Sequence, residues 1–284
     1  MARASSDGRL LAFLYGTAPG RLLLKPLTAR PLSKLAGKLL DSRLSTCLIG
    51  PFIRKNGIDL AEYQPEKYTS FNDFFTRRIR PEARPIDRRG DHLIAPCDGR
   101  LSVYAIGEDS VFTIKNSRYD VPALLGDDDG ARAFMGGVCL VFRLAVDDYH
   151  RYHYLDDGAQ GGPHFVPGRL HTVRPIALEH TSVFVQNCRE YTMLMTEHFG
   201  LVAQIEVGAM LVGRICNDQR AVHFHRGDEK GHFMYGGSTI VVLLQKNKAV
   251  IEDRFWQATA RGEEVRVRMG QAIGETFAGG NRFA

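Results

Sequence analysis

Three short stretches of this 284-residue chain carry side chains suited to acid, base and nucleophile chemistry. Ala95-Pro96-Cys97-Asp98-Gly99 offers a carboxylate, and Asp148-Tyr149-His150-Arg151-Tyr152-His153 offers two imidazoles three residues apart. Tyr235-Gly236-Gly237-Ser238-Thr239 offers a hydroxyl. Each alone is ordinary, because Asp-Gly and Gly-Gly-Ser are common turn chemistry. Together they supply an acid, a base and a nucleophile in chain order Asp, His, Ser, an admissible order because a triad is defined by geometry and role. A serine hydroxyl attacks well only when an imidazole takes its proton, and the imidazole needs a carboxylate to fix its tautomer.

The setting of Ser238 points to an unusual target. It lacks the GxSxG elbow of the hydrolases and follows two glycines directly before the apolar run Ile240-Val241-Val242-Leu243-Leu244. Without Cβ atoms, Gly236 and Gly237 reach backbone angles closed to other residues, so the Ser238 hydroxyl can approach the Gly237 carbonyl. Attack on its own chain, an N→O acyl shift, is the expected event. His223, His225 and His232 lie near this loop in sequence and read as structural or surface residues. The five cysteines are scattered singly with no CxxC pair and no zinc spacing, which predicts a reduced compartment, no disulfide and no metal. Gly161-Gly162 and Gly236-Gly237 lack the context of a nucleotide-binding loop.

The elements that must hold these loops change character along the chain. Beyond residue 90, β-branched runs separated by Gly, Pro and Asp predict strands at Val138–Phe142, Val202–Val207, Ile240–Leu244 and Val265–Met269. Upstream, Leu32, Leu35, Leu39, Leu40, Leu44, Cys47 and Leu48 follow the spacing of one helical face from Pro31. Before them, short helices broken by Pro and Gly are expected around Leu10–Leu14 and Leu22–Leu24. Residues 1–57 hold ten Lys or Arg against Asp7 and Asp41, whereas the whole chain has a net charge of only +5. A basic amphipathic segment of this kind can lie in the headgroup layer of an anionic membrane or pack as an ordinary helical layer. No apolar run reaches the roughly 18–20 residues that span a bilayer, and the start lacks the pattern of a secretory signal. The expected fold is α+β: N-terminal amphipathic helices over residues 1–57, then a β-rich catalytic domain of barrel-sandwich-like sheets over residues 58–284.

The three stretches resemble the signatures of the phosphatidylserine decarboxylase proenzymes, with Gly236-Gly237-Ser238-Thr239 in the place of the family's LGST cleavage motif. Phe71-Asn72-Asp73-Phe74-Phe75 with Arg84-Pro85-Ile86-Asp87 is similar to its FNxFF and RPID stretch, and Asn187-Cys188-Arg189-Glu190 to its N-x-R-E segment. Val207-Gly208-Ala209, Val212-Gly213 and Gly227-Asp228-Glu229-Lys230-Gly231-His232-Phe233 follow in the same order. The family often has Ala or Val where this chain has Cys97, a change that conserves size.

The resemblance implies that Asp98 orients, His153 is the general base and Ser238 the nucleophile of self-cleavage between Gly237 and Ser238. A β chain of residues 1–237 and an α chain of residues 238–284 would result, the latter capped by a pyruvoyl group made from Ser238. That ketone is the cofactor, an electron sink for loss of carbon dioxide from an amine-bearing substrate. His150 is the candidate acid that returns a proton. Phosphatidylserine in anionic membranes is the implied substrate and phosphatidylethanolamine the product, at the cytoplasmic side of the cell membrane as a peripheral protein. The two chains would form a heterodimer, with a dimer of such units as a further level of assembly, and no nucleic acid or metal is expected. A pyruvoyl enzyme for another serine-headgroup or ether phospholipid shares the chemistry, and a noncatalytic membrane-bound β-domain is the alternative of another class.

Overall fold

The computed structural model describes residues 6–28, 30–114, 117–173, 177, 182–209, 214–218, 222–235 and 238–277. Gly236, Gly237 and Val212-Gly213 lie outside the described residues. The fold is α+β, and its centre is a nine-stranded sheet in which every pair is antiparallel. In spatial order it runs β12 (His223–Phe224), β7 (Gly158–Gln160), β9 (Arg189–Thr196), β10 (Gly200–Val207), β14 (Ser238–Leu244), β5 (Val138–Leu144), β2 (Gly99–Ala105) and β16 (Val265–Val267), with β8 (His164–Val166) also on β9. A three-stranded sheet joins β11 (Ile215–Asn217), β13 (Glu229–Phe233) and β6 (Arg151–His153). Another joins β1 (His92–Ile94), β17 (Ala272–Thr276) and β15 (Ala249–Ile251), and β3 (Val111–Ile114) pairs β4 (Ser117–Asp120).

Strand β14 shows why the sheet sits where it does. Successive side chains of a strand point to opposite faces, and all seven of its residues are buried, so an unbroken apolar run suits it better than alternation. Val241 and Leu243 join one core with Val141, Ala203 and Ile205, while Ile240, Val242 and Leu244 join the other with Leu140, Phe142 and Val202. Each fully buried aliphatic side chain contributes about 1.5–3 kcal/mol. The strand that opens with Ser238 is therefore anchored at the middle of the molecule.

Strands form at all four expected runs, with one shortened. β16 stops at Val267 because the next backbone donors are taken by side chains: Arg268 N–H donates to Gln271 Oε1 at 3.2 Å and Met269 N–H to Asp98 Oδ1 at 2.9 Å. The helical face expected to run on from Pro31 is broken in two. Helix α3 (Arg30–Leu40) ends where the Ser42 hydroxyl donates to the Leu39 carbonyl and the Ser45 hydroxyl to the Leu40 carbonyl, side chains that compete with the helix for its last carbonyls. A 3₁₀ turn (Arg43–Leu48) and α4 (Ile49–Asn56) follow. Upstream, α1 (Ser6–Gly16) and α2 (Ala18–Leu27) are divided at Thr17, whose hydroxyl caps α2 by accepting from Gly20 N–H at 3.1 Å. Pro19 and Gly20 thus lie inside the first turn of α2, where a proline's missing N–H does no harm.

Candidate active site

Short helix α5 (Phe71–Phe75) is the local scaffold of the site. Ser70 caps it by accepting from Asp73 N–H at 3.1 Å, and the Asp73 carboxylate accepts from Thr69 N–H at 2.8 Å, a reciprocal pair that closes its N-terminus. Its aromatics are buried: Phe75 lies against the His150 ring with centroids 4.1 Å apart and against Tyr235 at 5.1 Å. Asn72, only 2% exposed, donates to Asp41 Oδ1 at 2.8 Å and accepts from Tyr235 N–H at 3.3 Å. One residue thereby joins the end of α3 to the chain just before Gly236.

Ser238 opens β14 opposite Leu144, the last residue of β5, on the face shared with Ile240. It is fully buried, and its Oγ has no hydrogen-bond partner among the described residues. A buried hydroxyl without a partner is unfavourable by about 1–3 kcal/mol. Thr239, on the opposite face, is also buried with an unpartnered hydroxyl.

His150 is 1% exposed, and its Nδ1 lies 2.8 Å from the Asp148 carbonyl. A carbonyl only accepts, so the ring proton sits on Nδ1 and the Nε2 lone pair is left as an acceptor. No described residue donates to that nitrogen. Burial, reinforced by the Arg77 cation, pushes the His150 pKa down to about 3, so the imidazole is neutral near pH 7. His153 closes β6, with its backbone N–H on the Pro96 carbonyl at 2.8 Å and its Nδ1 buried and unpartnered. Burial and Arg151 lower its pKa to about 4, against the opposing charge of Asp98.

Asp98 is followed by Gly99, where a Cβ would meet the Arg143 carbonyl oxygen of β5 at 3.0 Å, so glycine favours this close pairing. The Asp98 carboxylate is not hydrogen-bonded to either histidine. Arg84 grips it as a fork, Nε to Oδ1 at 2.9 Å and Nη2 to Oδ2 at 2.7 Å, and Met269 N–H donates to Oδ1. Asp98 bears on His153 by its charge, which opposes the lowering of that ring's pKa, and no hydrogen bond joins Asp98, His153 and Ser238 among the described residues.

The strands that carry these groups are tied together. Phe233 N–H donates to the His150 carbonyl at 2.9 Å, and β13 pairs β6 with Glu229 opposite His153. The small sheet is clamped to the large one by a fully buried ion pair, Lys230 Nζ to Glu206 Oε1 at 2.9 Å, with Asn217 bridging Lys230, Tyr152, Glu190 and Glu206. Glu206 lies opposite Ile240 on β10, the same face as Ser238.

Comparison with known proteins decides the family. The profile described as phosphatidylserine decarboxylase matches residues 71–275. Phosphatidylserine decarboxylase proenzyme 2 of Clostridium acetobutylicum is 45% identical over 267 residues, 94% of this chain and 91% of the relative. The phosphatidylserine decarboxylase proenzyme of Ruminiclostridium cellulolyticum is 40% identical over 275 residues, covering 95% and 92%. The chain belongs to the phosphatidylserine decarboxylase family. It is an enzyme of the decarboxylase class, and the noncatalytic β-domain alternative falls.

The site also holds side chains to which sequence reasoning gave no role. Arg84, Asn72 and Phe75 were visible only as parts of matching stretches, although a polar Asn inside Phe71-Asn72-Asp73-Phe74-Phe75 was a signal of a buried hydrogen-bonding duty. Arg77 is 1% exposed and pairs with no carboxylate among the described residues. Its guanidinium lies over the Tyr63 ring at 4.2 Å and donates to the Tyr63 hydroxyl at 3.1 Å.

Proposed function

We propose that the protein decarboxylates phosphatidylserine to phosphatidylethanolamine with a pyruvoyl group generated from its own Ser238. The observation that carries the reading is the fully buried, unpartnered Ser238 Oγ at the head of β14. Support for self-processing also comes from the relatives, whose names call them proenzymes. The buried polar atoms without partners, Ser238 Oγ, His150 Nε2 and His153 Nδ1, fit a group that forms there and engages them afterwards.

In maturation, an imidazole takes the Ser238 hydroxyl proton as Oγ attacks the Gly237 carbonyl carbon; the Gly237–Ser238 amide breaks as the ester forms. Loss of the Ser238 α-proton then expels the Gly237 carboxylate, ending the β chain at 237. Water finally replaces the nitrogen, which leaves as ammonia, and the α chain begins with a ketone. His153, beside the Asp98–Arg84 pair, suits the first proton transfer because a neutral ring with an open nitrogen is a base. In turnover, the pyruvoyl ketone supplies an electron sink for the departing carboxylate. His150, walled by Phe75 and the buried Arg77 charge, is neutral with an open Nε2, so it serves as a relay that accepts a proton at Nε2 and passes it to the former α-carbon rather than as a store of one.

The acyl part of the substrate has a route. A cavity of about 330 Å3 lined by Leu40, Leu48, Pro51, Phe52, Phe71 and Tyr235 lies next to the cleavage segment, with Lys55 at its rim to meet a phosphate. Leu10, Phe13, Leu22, Leu23, Leu35, Leu39, Leu44 and Leu48 are exposed on the basic N-terminal segment, which supports peripheral docking on an anionic membrane at its cytoplasmic face. Among the described residues no helix is long and apolar enough to cross a membrane.

Ser238→Ala tests the reading. The variant is expected to remain one chain of 31.7 kDa and to release no phosphatidylethanolamine from phosphatidylserine vesicles. Normal processing or turnover in the variant refutes it.

A further inference from the structure

On the far side of the large sheet from Ser238, a second cavity of about 210 Å3 lies between α2 and residues 169–171. Tyr15, Arg21, Lys25, Thr28, Arg169 and His171 line it. Tyr15 and Leu24 belong to the core on the Val241 face, whereas Ser238 shares the Ile240 face, so the two sites are separated by the sheet. Three of the lining side chains are cations, no lining residue is acidic, and none of the three is ion-paired among the described residues. Unneutralised charge gathered in a recess attracts an anion.

The recess is built rather than incidental. Leu170 N–H donates to the Thr28 carbonyl at 3.1 Å and Arg169 N–H to the Gln186 carbonyl at 2.8 Å, while buried Asn187 accepts from His171 N–H and donates back to its carbonyl. His171 is only 8% exposed. The Tyr15 hydroxyl accepts from Thr172 N–H at 3.1 Å and lies 3.3 Å from His171 Nδ1. In the tautomer in which Tyr15 donates to Nδ1, the ring proton is on Nε2, for which no described residue supplies an acceptor. Burial and the Arg169 charge keep the ring neutral, with a pKa of about 4, and a neutral imidazole still donates. Helix α2 carries Arg21 and Lys25 of the cavity together with Leu22 and Leu23, 66% and 55% exposed.

We propose that this cavity is a headgroup site for a second, non-substrate anionic phospholipid, its phosphodiester held by Arg21, Lys25, Arg169 and His171 while its chains run over Leu22 and Leu23. The inference rests on the reading of the N-terminal segment as a membrane-docking surface. A soluble phosphate ester offers the same charge, but the exposed leucines on the same helix favour a lipid.

The test uses the full-length processed protein and vesicles of phosphatidylcholine with phosphatidylglycerol, which lacks a serine headgroup. Arg169 lies outside the N-terminal segment and is exposed at the cavity it lines. Arg169→Gln is expected to weaken partitioning about five-fold, the effect of one cation near a membrane, and Arg169→Lys to restore most of it. Lys248→Gln, the same charge loss at an exposed position outside the cavity, is expected to leave partitioning unchanged. Equal partitioning of wild type and Arg169→Gln, or an equal loss in Lys248→Gln, overturns the headgroup site and leaves docking standing. Failure of the wild type to bind these vesicles overturns both. If glycerol phosphate in solution raises the melting temperature through Arg169 while vesicle partitioning ignores Arg169, the cavity serves free phosphate esters and the lipid proposal is wrong.

Discussion

At the scale of single residues, the account turns on two imidazoles held neutral in a buried site. His150 is neutral because burial resists its charge and the unpaired Arg77 cation resists it further. Removing that cation must raise the pKa. In a Ser238→Ala background, which keeps the chain in one covalent state, the His150 ring is expected to titrate near pH 3 by NMR and to move upward in Arg77→Met. A ring titrating near the ordinary 6.5 in the parent protein would contradict the environment described here. The sequence disclosed Asp98, His150, His153 and Ser238 as reactive types in suggestive places. It did not disclose that Arg84 would take the Asp98 carboxylate, because a fork between residues fourteen positions apart leaves no periodic mark.

Among elements, legibility follows burial. β5, β10 and β14 were visible as apolar runs because both their faces are covered, whereas β6, β11 and β13 are short strands of mixed polarity whose pairing is set by partners far away in sequence. The break after α3 was hidden because Ser42 and Ser45 act on carbonyls, a contact that apolar spacing does not report. The clamp between the two sheets was equally silent: Lys230 and Glu206 are 1% and 0% exposed side chains that sequence alone would place on a surface. Lys230→Met strands the Glu206 charge, and denaturant unfolding of the Ser238→Ala protein is expected to show a loss of about 3–5 kcal/mol. The double change Lys230→Met with Glu206→Leu is expected to recover most of that loss, since an apolar pair replaces a buried ion pair at little net change. A single variant as stable as the parent would remove the clamp from the account.

For the whole molecule, the buried titratable groups set the response to acid. His150, His153, His171 and His232 all have folded-state pKa values lowered to about 3 or 4 by burial. The unfolded chain, with ordinary histidines near 6.5, binds more protons between pH 6.5 and 4. Stability must therefore fall as pH drops through that window and be flat with respect to these groups above it. Asp87 and Asp157, with lowered pKa values, act in the same direction below the carboxylate range, while buried Asp148 and Glu206, with raised values, oppose it. Unfolding free energies of the Ser238→Ala protein are expected to decline on acidification, with a shallower slope when His150 and His153 are both replaced by Gln. An unchanged slope in that double variant would show that neither ring is buried in its neutral form.

The proposed self-scission joins the three scales, since Ser238 opens a strand whose seven residues are all buried. Intact mass spectrometry of freshly purified wild-type protein measures it directly. The account predicts two species, residues 1–237 with a free C-terminal carboxyl and residues 238–284 bearing a ketone in place of the amine of Ser238. A folded wild-type sample that runs as one unbroken chain without a reactive carbonyl would contradict it.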